Sequence, residues 1–141
     1  MSKGEIMVKL DDLELALNFN SSGPYFDNEI YIDTESGEVI YVSDFIDEEP
    51  PSDIYENDKY IMLPTKQEFG LGKPLALEFA REKDRDLFNE VYSIFSSRGA
   101  YSRFKNLLEH KGLLEQWYNY EQEQIGKALM AWCSDNDIQC K

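Results

Sequence analysis

Three observations predict an α+β fold: short β-branched and aromatic runs early in the chain, a turn signal between two of them, and apolar stripes at helical spacing after about residue 74. We expect a small three-stranded antiparallel sheet, with an N-terminal helix and a C-terminal set of three or four packed helices. A chain of 141 residues, 42% hydrophobic and 13% aromatic, suits one domain around a single core. We expect residues 1–141 to form that domain, with a disordered extension over 1–6 and an acidic loop over 43–58.

The first element is a helix over about 11–20. Asp11 or Asp12 suits its N-terminus, and Leu13, Ala16, Leu17 and Asn20 recur at helical spacing. Asn20-Ser21-Ser22-Gly23-Pro24 stops it. The clearest local signal follows. Glu29-Ile30-Tyr31-Ile32-Asp33 and Glu38-Val39-Ile40-Tyr41-Val42 flank Thr34-Glu35-Ser36-Gly37, which reads as a hairpin with Ile30 and Ile32 on the core face. Residues 43–58 carry seven carboxylates, Pro50-Pro51 and no base, the composition of a solvated surface loop. Lys59-Tyr60-Ile61-Met62-Leu63 is the third strand, closed by Pro64.

The remainder is helical. Pro74 fits a first helical turn. Leu87, Phe88, Val91, Ile94 and Phe95 share one face. Gly99 suits a left-handed position at a helix break, and a long last helix over about 113–134 puts Leu114, Trp117, Tyr118, Ile125, Ala128, Leu129 and Trp132 on one stripe.

The net charge of −14 is unevenly spread. Residues 1–58 hold 16 acids against Lys3 and Lys9, whereas 59–141 hold 12 of each sign. Such a field repels nucleic acid and anionic lipid. It reads either as a solubilising surface or as an acidic face for a basic partner. No apolar run has the length of a membrane helix, and residues 1–12 do not resemble a secretory signal, so a cytoplasmic setting is expected. Cys133 and Cys140 match neither a zinc pattern nor a disulfide framework.

Enzymatic templates find no match. Gly70-Leu71-Gly72-Lys73 lacks the spacing of a phosphate loop, the Gly-x-Ser-x-Gly elbow is missing, and His110 sits where bases finish helices. The loop carboxylates lack the calcium-loop spacing. No catalytic residue, metal or cofactor is nominated. Segment 97–105 stands apart: Arg98, Arg103 and Lys105 straddle Gly99 and Ala100 at a helix start, with no acid between Glu90 and Glu109. Arg98, Gly99, Arg103 and Lys105 make an anion-binding candidate. Arg103 alternatively forms a structural ion pair with Glu121, an acid on the apolar stripe of the last helix. Tyr120 lies off that stripe and is the exposed aromatic expected of Trp117-Tyr118-Asn119-Tyr120.

Three pieces occur in a familiar order: Ile32-Asp33-Thr34-Glu35-Ser36-Gly37-Glu38-Val39, Tyr60-Ile61-Met62-Leu63-Pro64, and Arg98-Gly99-Ala100-Tyr101-Ser102-Arg103-Phe104-Lys105 followed by Trp117-Tyr118-Asn119-Tyr120. Together they resemble a family of uncharacterised bacterial proteins, the one numbered 0158. The resemblance spans about residues 7–133, and Arg-Gly-Ala-aromatic-x-Arg-Phe-Lys is its most specific piece. Around Gly70 to Lys73 the chain departs from the family, which is more polar and acidic there. The resemblance implies a fold and an order of elements but no activity. It also implies that Met7 lies near the usual start.

The expected function is a non-catalytic protein-binding module whose acidic N-terminal face docks a basic partner, with Asp44, Asp47, Glu48, Glu49 and Tyr120 as contacts. Two alternatives stand beside it. One is phosphate or nucleic-acid binding through Arg98, Arg103 and Lys105. The other is an acidic inhibitor or immunity-type protein that mimics nucleic acid on a basic target.

Overall fold

Strand formation over Glu29–Asp33 organises the first half of the chain. The computed structural model describes residues 7–21 and 28–141. The expected extension over 1–6 and the Ser22-Gly23-Pro24 helix stop lie outside them. The elements run β1 (Met7–Val8), α1 (Leu10–Asn20), β2 (Glu29–Asp33), β3 (Val39–Val42), β4 (Tyr60–Met62), α2 (Lys73–Lys83), α3 (Arg85–Ile94), α4 (Ala100–His110), α5 (Leu114–Asp135) and β5 (Gln139–Cys140). The fold is α+β, with the expected three-stranded antiparallel sheet in the order β3-β2-β4 and four helices after it. No helix among the described residues is long and apolar enough to cross a membrane. The described residues form two compact units, those up to 69 together with 126–141, and residues 70–125.

In the first unit β2 is the central strand. Tyr31 lies opposite Ile40 on one side and Met62 on the other. Because side chains alternate across a strand, Ile30 and Ile32 share a face. Both are fully buried there, and α1 packs on β2 and β3 with Leu13, Ala16 and Leu17 buried. Tyr31 and Ile40 point to the other face, where Ile54 joins them with Val42 and Tyr60 at the margin. The acidic segment is thus more than a solvated loop. Its turn over 51–57, held by Ile54 N–H to the Pro51 carbonyl (3.1 Å) and Asn57 N–H to the Asp53 carbonyl (3.0 Å), lowers one aliphatic side chain onto the sheet.

Asp33 closes the hairpin. It is the one buried charged residue among those described, and its Oδ1 accepts the main-chain N–H of Glu35 (2.8 Å) and of Ser36 (3.2 Å). The Lys59 ammonium lies 3.5 Å from Oδ2. Burial alone would raise the pKa of this carboxyl; the two N–H donors, the Ser36 hydroxyl and Lys59 outweigh it and hold the group below the usual range. Gly37 (φ 83°) supplies the left-handed residue that the turn requires.

Helix α1 begins one residue before Asp11, so neither Asp11 nor Asp12 is its cap; both sit in the first turn, where they oppose the dipole. Extended Lys9 precedes the helix without a side-chain cap. The Leu10 N–H instead donates to the Lys141 carbonyl (2.8 Å), and the Lys141 N–H to that of Val8 (3.1 Å). These bonds extend a parallel pair, β1 with β5, that the sequence pattern did not predict. Cys133 is buried in the last turns of α5, and Cys140 is half-buried; both are free thiols. Burial, with Cys140 alongside, pushes the Cys133 thiol up to about 12.

The second unit packs helices around aromatic rings. Trp117 is fully buried, with Phe104 edge-on at 4.9 Å and Phe79 at 5.4 Å between ring centres. Leu87, Val91 and Leu108 complete the stripes expected from helical spacing. Asp84 caps α3 by accepting the Leu87 N–H at 2.7 Å. The Trp117 Nε1–H has no hydrogen-bond partner among the described residues.

Two outcomes follow. Asp33→Asn keeps the shape of the carboxylate but weakens its charge-assisted bonds, and should cost about 1–2 kcal/mol in chemical denaturation at neutral pH. Because the folded pKa is depressed, the carboxylate's contribution is present above its unfolded pKa and is lost as pH falls through the folded value. The variant should therefore show a flatter stability–pH profile below about pH 4. Trp117→Ala should cost about 3–5 kcal/mol. Trp117→Phe should cost less than half as much, because it keeps the ring contacts and discards an unpaired N–H.

Candidate functional site

In an antiparallel sheet the start of a central strand lies beside the ends of its neighbours. Residues 28–29, 42–44 and 62–65 therefore meet at one end of this sheet, and the acidic segment folds back over them. Between these pieces lies a cleft of about 830 Å³, within the size range of ligand sites. Among the described residues six carboxylates line it, Glu29, Asp44, Asp47, Glu48, Glu49 and Glu68, and no Lys, Arg or His does.

The wall behind these acids is a hydrogen-bonded polar frame. Asn20, buried at the last turn of α1, donates to the carbonyls of Leu63 (3.0 Å) and Pro64 (3.2 Å), tying the helix to the segment after β4. The Ser21 hydroxyl donates to Asn20 Oδ1 (3.0 Å) and accepts the Lys66 N–H (2.9 Å). Across the cleft, the Ser43 hydroxyl donates to Asn28 Oδ1 at 2.6 Å and accepts the Phe45 N–H at 3.2 Å. Glu68 accepts the Thr65 N–H (3.0 Å), while its own N–H donates to the Thr65 hydroxyl (3.2 Å).

Glu29 is held from two sides, by the phenols of Tyr31 (3.3 Å) and Tyr55 (3.4 Å). Burial, then the charge of Glu29, pushes Tyr31 up to about 12; Tyr55 is shifted upward by the same causes. Both phenols therefore stay protonated donors at neutral pH. Tyr55 is 69% exposed and Met62 52%, so the acidic cleft carries an apolar margin.

Asp44, Asp47, Glu48 and Glu49, the loop acids singled out in the sequence, all line this cleft. Tyr120 belongs to the 70–125 unit and is half-buried, its ring 5.4 Å from Phe79 and 6.2 Å from Trp117. Tyr118, 46% exposed, is the open aromatic of that segment instead. One helical step moves a side chain about 100° around the axis, and Tyr120 falls on the Phe79 side. The sequence reading missed Glu29, Asn28, Tyr55 and Glu68. The adjacency of strand ends was the signal that pointed to the first two.

The basic segment is arranged differently. The Arg103 guanidinium donates to the Ile94 carbonyl (3.2 Å) and the Ser97 hydroxyl (2.7 Å), bracing the junction between α3 and α4. No hydrogen bond or ion pair among the described residues joins it to Glu121. Glu121 is half-buried, and its charge, after burial, helps to push the Tyr101 phenol up to about 12. The Lys105 ammonium lies 5.8 Å over the Tyr118 ring, and Arg98 is exposed. Among the described residues no three His, Cys, Asp or Glu side chains are grouped to hold a metal.

Fold and site together define an α+β protein with a carboxylate-walled cleft at one end of its sheet. The chain belongs to the uncharacterised protein family UPF0158, whose model matches residues 7–141. A UPF0158 protein of Pseudomonas aeruginosa is 29% identical over 139 residues, which cover 94% of this chain and 84% of the relative. No solved structure matches the chain.

Gly99 has φ 70°, and a Cβ there would lie 3.4 Å from Arg103 Nη1. Gly99→Ala should therefore lower stability by about 1–2 kcal/mol through the left-handed backbone. Gly99→Asn, which tolerates that conformation better, should lower it less. Thermal melts of the two variants check the order.

Proposed function

We propose that this protein is a non-catalytic binding module that docks a basic protein partner in its acidic cleft. The observation that carries the reading is the lining of the 830 Å³ cleft, among the described residues, by six carboxylates and no base. Like charges gathered along one wall repel. Four of the six, Asp44, Asp47, Glu48 and Glu49, are exposed and belong to the same segment. A cationic surface entering the cleft would relieve that repulsion, and the long-range field would speed the encounter more than it would tighten the complex.

The surroundings suit lysine and arginine in particular. Their alkyl stems need apolar surface beside a polar destination, which the exposed faces of Tyr55 and Met62 offer next to Glu29. The hydrogen bonds of Asn20, Asn28 and Ser43 hold the wall in shape before a partner arrives, which lowers the ordering cost of binding. An acidic inhibitor that mimics nucleic acid is a special case of this reading, distinguished by competition with nucleic acid for the target. Phosphate or nucleic-acid binding at Arg98, Arg103 and Lys105 is the weaker alternative, because Arg103 already has two acceptors and the net charge of −14 opposes a polyanion.

Titration with a fluorescent oligo-lysine peptide tests the proposal. Binding should weaken as salt rises, and the D47K/E48K/E49K variant should bind at least about tenfold more weakly while melting normally. Equal binding by the variant and the wild type would sink the reading.

A further inference from the structure

The partner's chemistry can be narrowed from the free edge of the sheet. The ladder's phase follows from bonds beyond its regular strands. The Asp33 N–H donates to the Glu38 carbonyl at 2.9 Å, so 33 and 38 are a hydrogen-bonded pair. Such pairs recur at every second position in an antiparallel ladder. Tyr31 with Ile40 and Glu29 with Val42 are therefore also bonded, whereas Ile32 with Val39 and Ile30 with Tyr41 are not. On the β4 side the Leu63 N–H donates to the Ile30 carbonyl at 2.8 Å, which fixes the same phase independently. The main-chain groups of Val39 and Tyr41 thus point away from β2, and neither residue's N–H or C=O has a hydrogen-bond partner among the described residues.

A groove of about 430 Å³ runs along this edge. One wall is the strand itself, from Glu38 to Tyr41, and the other is the acidic segment, with Glu48, Glu49 and Pro50. Ile46, Glu48, Glu49 and Pro50 line this groove and the acidic cleft alike, so the two share a wall. The opposite edge is less open: on β4 the Tyr60 N–H donates to the Asn57 carbonyl at 3.1 Å.

We infer that an extended segment of the partner adds to the sheet as a fourth strand along β3, and that its side chains alternate between cationic and apolar. The inference rests on the basic-partner reading above and supplies its geometry. Main-chain bonds to Val39 and Tyr41 give the segment its register, as in other strand-addition complexes. Side chains on the face shared with Glu38 and Ile40 emerge beside Glu48 and Glu49, where lysine or arginine fits. Side chains on the other face lie beside Val39 and Tyr41, whose ring already packs edge-on against Phe19 at 5.0 Å; valine or a similar residue fits there.

The probe is a capped heptapeptide of alternating lysine and valine, with two controls carrying the same charge. One control is N-methylated at its valines and the other at its lysines. Only one set of nitrogens in a strand faces its neighbour. One control should therefore lose binding by at least about tenfold while the other retains it, and the unmethylated peptide should slow hydrogen exchange at the Val39 and Tyr41 amides. If all three bind equally, with no protection of those amides, strand addition is overturned while the acidic cleft keeps its cationic partner. If none binds at any salt concentration, both readings fall. If the peptide binds with protection but the D47K/E48K/E49K variant binds as well as wild type, the edge takes a strand without regard to charge, and the proposed alternation is wrong.

Discussion

Strand β2 is the constraint on which its unit depends. Ile30 to Asp33 are four consecutive buried residues, and both edges of the strand are bonded, to β3 and to β4. A strand with two covered faces needs two covers. Helix α1 supplies one with Leu13, Ala16 and Leu17; Ile54 and its neighbours supply the other. The acidic segment is therefore fixed to the fold by Ile54, with Tyr55 and Ser43 beside it, and its carboxylates line the surface. The position of the cleft is a consequence of antiparallel pairing. The chain enters β2 where it leaves β3 and β4, and the three openings share one end of the sheet.

Charge in this protein is concentrated where the backbone is least regular. The first 58 residues hold all of the net charge, and much of that excess is carried by segments between strands. Exposed carboxylates are well solvated and screened, so their mutual repulsion is tolerable in a loop anchored by Ile54. In contrast, the buried Asp33 is compensated directly, by two amide donors and Lys59. One acid builds the hairpin, and the others shape the field around it.

Most of the architecture was legible in the sequence because it rests on local signals. The 34–37 turn carries glycine at the left-handed position, the flanking runs are β-branched and aromatic, and the Leu87–Val91 stripe repeats at helical spacing. What escaped was long-range or solitary. The β1–β5 pair joins Met7–Val8 to Gln139–Cys140, two residues each, and so short a parallel pair leaves no periodicity to detect. Ile54 sits in an acidic run with other large apolar residues, among them Phe45 and Tyr55, which are exposed, so composition does not single it out for burial. Of the candidate site residues, the loop acids were visible from composition, whereas Glu29 and Asn28 join them only through strand pairing. The stripe of α5 offers Glu121 as a partner for Arg103. The acceptors it reaches in the structure, Ile94 and Ser97, are close in sequence, and a helix junction offers carbonyls that composition does not advertise.

The open side of β3 also bears on how copies of this chain treat one another. An uncovered strand invites homotypic stacking, the first step toward aggregates. Here any such encounter would bring Glu38, Glu48 and Glu49 of one molecule against the same residues of another. These carboxylates thus give the edge an electrostatic guard against its own kind, one that leaves it open to a strand of opposite charge.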